Sequence, residues 1–186
     1  MIFRIDDVSA NTNTAHLQAI VTTICARVPD ASIVLAISPL VHDVSGEPEA
    51  DRERAFPRLL SAMSDHRNLY RVRRCGWPEK LTIHGSATLS LASHGLVHVD
   101  HRLLGREAQE LSIVASCSLV GAQIFCPPFN HWNRDTESVC AEHGIELIKF
   151  EDGWRHVRFN KFDPKHERYY LHTHDTAAEW LAGWFE

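Results

Sequence analysis

The sequence predicts an α/β fold built on a largely parallel sheet, and three observations predict it. Strand-like and helix-like segments alternate over nearly all of the 186 residues. A continuous apolar run, SIVLAISPL at residues 32–40, suits a strand covered on both faces. The unusual polar residues fall just after the strands, where parallel sheets with right-handed crossovers carry their functional groups.

Taken in order, residues 2–5 are a short β-prone run ending in Asp6 and Asp7. Residues 14–28 (TAHLQAIVTTICARV) have apolar positions at helical spacing up to the break at Pro29 and Asp30. Residues 32–40 form a second strand that Pro39 closes. The polar segment 42–53 (HDVSGEPEADRE) reads as a surface loop leading into a helix over 54–64. Short strands are expected at 81–83 and 90–93, flanking Gly85, and an amphipathic helix over 106–120. Residues 123–125 run as a strand into the turn at Pro127 and Pro128, and 135–143 form a helix stopped by Gly144. Strands at 146–150, 154–159 and 169–173 follow, with a closing helix over 176–184.

A chain of this length with 44% hydrophobic residues supports one buried core, so a single domain spanning 1–186 is expected. The formal charge of -5 comes with no cluster of lysine and arginine, which disfavours nucleic-acid partners. No run approaches the roughly 20 apolar residues of a transmembrane helix, and MIFRIDDVS lacks the features of an export signal. A soluble, cytoplasmic protein is the expectation. Five cysteines, an odd number without a C-x-x-C pair, argue for reduced thiols over a disulfide framework or a cysteine zinc knot. Thirteen histidines, clustered in the middle and near the C-terminal end, are the first pointer to chemistry.

His94 and His98, within SHGLVHVDH, stand four apart, which on a helical turn would put two imidazoles on one face to share a metal. Composition alone yields roughly 0.8 such pairs, so the neighbours must decide. Two imidazoles leave a divalent ion in need of an oxygen ligand, and Asp6 and Asp7 offer it: one carboxylate to bind, the other to act as base on water. FCPPFNHWN (125–133) is a turn stiffened by its prolines. There Phe129 and Trp132 suit stacking on a sugar ring, and Asn130 or Asn133 suits bonding to hydroxyls or tying the loop down. In YYLHTHD (169–175), strand alternation puts His172 and His174 on one side. One of them would protonate a leaving amine, with Asp175 or Asp152 to orient it.

In this order the segments resemble the NodB-type polysaccharide deacetylases, a carbohydrate esterase family, and the resemblance runs from Phe3 to Asp175. It implies a distorted (β/α) barrel with a metal site at the carboxyl ends of its strands. FRIDD is similar to the family's first motif, implying Asp6 as general base and Asp7 as metal ligand. SHGLVH is similar to the second, implying His94 and His98 as the other ligands. FCPPFN is similar to the third, which lines the substrate groove with Pro128, Phe129 and Asn130, beside Trp132 and Asn133. LHTHD is similar to the last, implying His174 as general acid with His172 and Asp175 in support. EDGW loosely resembles the family's Asp and Trp near that histidine, implying Asp152 as its orienting partner and Trp154 as a wall.

Two departures stand out. Cys126 occupies the place where the family usually has an arginine that pairs with the catalytic aspartate. The chain is also short for seven full strand-and-helix units, so the barrel is expected to omit a strand or stay open. The resemblance implies hydrolysis of an acetyl or formyl group from an N-acylated sugar, in building a cell-surface polysaccharide such as lipopolysaccharide. One divalent metal is implied, zinc first, with iron, cobalt, nickel or manganese also suited. The alternatives are a non-catalytic member that binds a carbohydrate or a partner protein, and a different metal-dependent hydrolase or epimerase on a related barrel.

Overall fold

A computed structural model describes residues 1–9, 11–40, 56–57, 59–60, 63 and 81–186. The expected loop at 42–53, most of the expected helix at 54–64, and Cys75 lie outside the described residues. The strands are β1 (Ile2–Ser9), β2 (Ser32–Ser38), β3 (Thr88–Ser93), β4 (Ile124–Phe125), β5 (Glu146–Leu147), β6 (Arg155–His156) and β7 (Arg168–His172). Helices with described bounds are α1 (Thr14–Arg27), α2 (Arg106–Val120), α3 (Arg134–Glu142) and α4 (Ala178–Trp184).

Among the described residues every strand pairing is parallel, and the seven strands lie in the order β5-β4-β3-β2-β1-β7-β6. β1 is central, with Phe3 opposite Ile33 on one side and Tyr169 on the other. Among the described residues β5 and β6 remain unpaired edges, so the sheet is a curled half-barrel, an open (β/α) barrel as the short chain implied.

The period-2 alternation of β1 separates two environments. Phe3 and Ile5 join Ile33, Leu35 and Leu171 in the core that α1 and α4 cover, with Leu17, Ile20, Val21, Ile24 and Leu181 supplying the helical side. Those α1 positions follow i, i+3, i+4, i+7, one apolar stripe, and Asn13 caps the helix by accepting from the Ala15 and His16 N–H groups. The intervening residues of β1, Arg4 and Asp6, are buried, and Arg4 meets the interior cluster of Val34, Ala36, Ala92, Cys126, Trp154 and Tyr170 at its two aromatic rings. A charged pair therefore lines the concave face of the sheet.

Several expected strands are shorter or absent. Residues 81–83 form no strand, because the backbone N–H and C=O of Thr82 are both bonded to the Gln18 side chain on α1. The runs at 146–150 and 154–159 each give two strand residues and then a 3-10 turn, Phe150–Asp152 and Val157–Phe159. His94 and His98 are on no helical turn: they sit in an irregular segment after β3. Gly95 makes that segment possible, since it has φ +79° and an added Cβ would come 2.7 Å from His101 Cε1. Among the described residues no helix is long and apolar enough to cross a membrane.

Candidate metal centre and its surroundings

A bulge in β1 arranges the two aspartates. The pairing of β1 with β2 shifts register between Ile5 and Val8, and Asp7 takes φ 61°, a left-handed backbone uncommon for any residue but glycine. Asp6 keeps its place opposite His172 of β7. Asp7, freed from the ladder, turns its carboxylate toward three imidazoles. Its Oδ1 lies 3.4 Å from His94 Nε2 and 3.0 Å from His98 Nε2, and its Oδ2 lies 3.1 Å from His174 Nδ1. Such strain at a polar cluster is a common companion of function.

The residues fit a divalent ion. Atoms held about 2.1 Å from a shared ion at angles of roughly 90–109° stand about 3.0–3.4 Å apart, which matches the two Asp7 to histidine distances. Asp7 Oδ1 is buried and has no hydrogen-bond partner, as expected of an atom reserved for a cation. The tautomer fits as well: His94 Nδ1–H donates to the Cys126 carbonyl at 2.7 Å, leaving the Nε2 lone pair free to ligate.

Two other groups, Asp7 with His172 and His174, and His156 with His172 and Asp175, also bring possible ligand atoms within 4.8 Å. Hydrogen bonding disfavours the last. The Arg158 N–H donates to His156 Nδ1, so the neutral His156 ring carries its proton on Nε2, which donates to His172 Nδ1 at 3.1 Å. That nitrogen has no lone pair for a metal.

Burial alone would raise the Asp7 carboxyl, but the imidazoles of His174, His94 and His98 ranged around it outweigh that and hold the group well below the usual carboxylate range. The bond to Asp7 raises the His174 imidazole above its ordinary value, so it favours carrying a proton. Asp6 is buried, with Oδ2 accepting from Arg4 Nη2 at 2.8 Å while Oδ1 has no partner.

The other sequence-derived residues divide clearly. Phe129 meets the His98 ring edge-on at 4.3 Å, and the turn Pro128–Asn130 holds Phe129 and Asn130 at φ 58° and 55°. Asn130 Oδ1 accepts from Arg4 at 2.5 Å. Asn133 caps α3 and meets Gln109, so it ties the loop down. Trp132 is half-buried beside this turn, and Trp154 is buried with its ring 5.0 Å from the Arg4 guanidinium carbon, so it backs Arg4 rather than facing the groove. Asp152, expected to orient His174, is exposed and accepts the Lys149 N–H in a 3-10 turn; the carboxylate bonded to His174 is that of Asp7. Asp175 lies 3.7 Å from His172 Nδ1. Cys126 contributes its carbonyl; burial pushes its thiol up to about 12, so it stays neutral.

Three contributors were not singled out from the sequence: Arg4, His156 and His101. His101 is fully buried, donates from Nδ1 to the Val99 carbonyl, and accepts at Nε2 from Ser112, whose oxygen also receives the Leu96 N–H. This network pins the loop that carries His94 and His98. Burial pushes His101 down to about 4 from the ordinary 6.5. Between those values the unfolded chain binds a proton that the folded chain refuses, so acid favours unfolding. Metal-free protein should lose up to about 3 kcal/mol relative to His101→Asn as pH falls from 6.5 to 4. Urea unfolding of both across that range checks it, and a constant difference between them would contradict the assignment.

An open parallel (β/α) barrel carrying an aspartate and two histidines at the carboxyl ends of its strands defines a class of candidate metal-centred α/β proteins. Known proteins with the same fold narrow that class. No family model and no curated protein sequence matches the chain. Among solved structures, a CE4 family pseudoenzyme from Bacillus anthracis is similar at 8% identity and TM-score 0.57, covering 99% of this chain and 58% of that one. A family 4 carbohydrate esterase from Streptomyces lividans in complex with acetate has 10% identity and TM-score 0.54, covering 98% of this chain and 82% of that one. The peptidoglycan deacetylase PdaC of Bacillus subtilis has 11% identity and TM-score 0.53, covering 100% and 81%. The chain thus spans little more than half of the Bacillus anthracis protein. It shares its fold with these carbohydrate esterase structures.

Proposed function

We propose that the protein is a metal-dependent hydrolase that removes an acetyl or formyl group from an N-acylated sugar. The observation that carries this reading is the convergence of Asp7, His94 and His98 at the spacing of a shared ion, with His94 already in the ligating tautomer. Support comes from the fold shared with carbohydrate esterases, one of which holds acetate, the product class of such a reaction. The bound ion, zinc or another divalent metal suited to two imidazoles and a carboxylate, would supply Lewis-acid polarisation of the amide carbonyl.

The chain's own residues supply the proton transfers. Asp6, through its unpartnered Oδ1, takes the proton of the attacking water. His174, two-thirds exposed and favouring its charged form, gives a proton to the departing amine nitrogen. Phe129, edge-on to His98, and Trp132 form an aromatic wall on which a sugar ring stacks. We place the reaction in cytoplasmic assembly of a cell-surface polysaccharide.

The test is release of acetate or formate from free, oligomeric and lipid-linked N-acylated hexosamines by metal-loaded protein. Metal-dependent release from one of these classes, lost on chelation and restored by metal, is the expected result. Metal-replete protein that binds such sugars and turns none over would favour the non-catalytic alternative, for which the pseudoenzyme among the similar folds is a precedent.

A further inference from the structure

We infer that Arg4 is the positioning residue for the base: its guanidinium fixes Asp6 Oδ2 and so leaves Oδ1 as the oxygen that receives the proton from water. This rests on the deacetylase reading above. The placement comes first. Arg4 is 0% exposed in the middle of the central strand, where Phe3 and Ile5 on either side pack into the helix-covered core. Arginine is almost never fully buried unless paired, and its desolvation costs several kcal/mol. A buried ion pair is weak evidence for stability, since apolar side chains of similar volume often serve the fold as well, and the position of the guanidinium beside Asp6 points to a positioning role.

Two aromatic rings and the hydrogen bonds of one nitrogen place the guanidinium, while Nε and Nη1 are buried without partners among the described residues. The guanidinium carbon lies 5.0 Å from the ring centroid of Trp154 and 4.9 Å from that of Tyr170, which is opposite Arg4 in the strand register. Nη2 donates to Asp6 Oδ2 at 2.8 Å and to Asn130 Oδ1 at 2.5 Å, and Asn130 is itself fixed in a left-handed turn. Asp6 is the one ion-pair partner of Arg4 among the described residues. The Asp6 carboxylate is therefore locked by one oxygen only. Its second oxygen is buried without a hydrogen bond, on the residue next to Asp7. A carboxylate free to rotate would present either oxygen or turn away; the Arg4 bond removes that freedom.

Cys126 packs in the same cluster as Trp154 and Tyr170. A guanidinium built from that position can enter the same aromatic box, which gives the inference a gain-of-function arm. The experiment measures kcat, KM and Co2+ affinity for wild type, Arg4→Met, Arg4→Lys and the double variant Arg4→Met/Cys126→Arg. Arg4→Met is expected to lower kcat about 100-fold or more, with KM and metal affinity within about threefold of wild type. Arg4→Lys keeps the charge but loses the planar group that lies against Trp154 and Tyr170, and is expected to lose about tenfold in kcat. The double variant should regain about tenfold or more over Arg4→Met.

Wild-type kcat in Arg4→Met, or a loss carried equally by metal affinity, overturns the inference. Should Arg4→Met not fold, wild-type kcat in Arg4→Lys overturns it equally. No turnover by the wild-type protein on any substrate class overturns the deacetylase reading and this inference together. Turnover in wild type with full kcat in the Arg4 variants overturns this one alone.

Discussion

Asp7→Ala and His94→Ala are each expected to abolish tight divalent-metal binding and to reduce acyl release by about 1000-fold or more. Both side chains are already arranged as ligands to one ion would be. His94 is 2% exposed, its Nδ1 is committed to the Cys126 carbonyl, and its Nε2 has only Asp7 to face. Asp7 bears a left-handed backbone and an unpartnered buried oxygen. Removing either leaves two ligands on an ion that needs at least three from the protein. Asp7→Ala does further harm, because His94, His98 and His174 all face that one carboxylate. Metal content after dialysis against limiting zinc, measured beside acyl release, checks both. Retention of full activity in the two variants would remove the metal from the mechanism.

The alternation of elements made the parallel sheet legible, because both-face burial writes itself as continuous apolar runs such as residues 32–38. The meeting of Asp7, His94 and His98 was legible through their residue types and strand-end positions. The spacing argument behind it was not the operative one, since His94 and His98 meet through a glycine-dependent loop and not a helical turn. The two-residue strands β5 and β6 were over-extended from sequence because the 3-10 turns that follow carry apolar residues, Phe150, Val157 and Phe159, that continue a strand-like pattern although both phenylalanines are exposed. Arg4 was invisible for a different reason. Its burial depends on Trp154 and Tyr170, about 150 residues away, and no local pattern announces that an arginine will be boxed by rings. Asp152 illustrates the reverse error: a carboxylate in a suggestive tetrapeptide was spent on a turn.

Asp6→Asn separates metal binding from proton transfer, and it is expected to lower kcat by about 1000-fold while metal content stays that of wild type. The substitution is nearly isosteric. The Asn amide oxygen still accepts the Arg4 N–H that now reaches Asp6 Oδ2, so the aromatic box, the Asn130 contact and the strand register survive. What disappears is the basic lone pair on the second oxygen, whose place is taken by an amide that holds no extra proton. KM should therefore move little and kcat fall, the pattern of an interaction used only in the transition state. Asp7→Ala loses the ion and the rate together; Asp6→Asn should lose the rate alone. Substantial turnover by metal-loaded Asp6→Asn would mean that another group takes the proton from water. The division of labour between the two adjacent aspartates would then have to be abandoned.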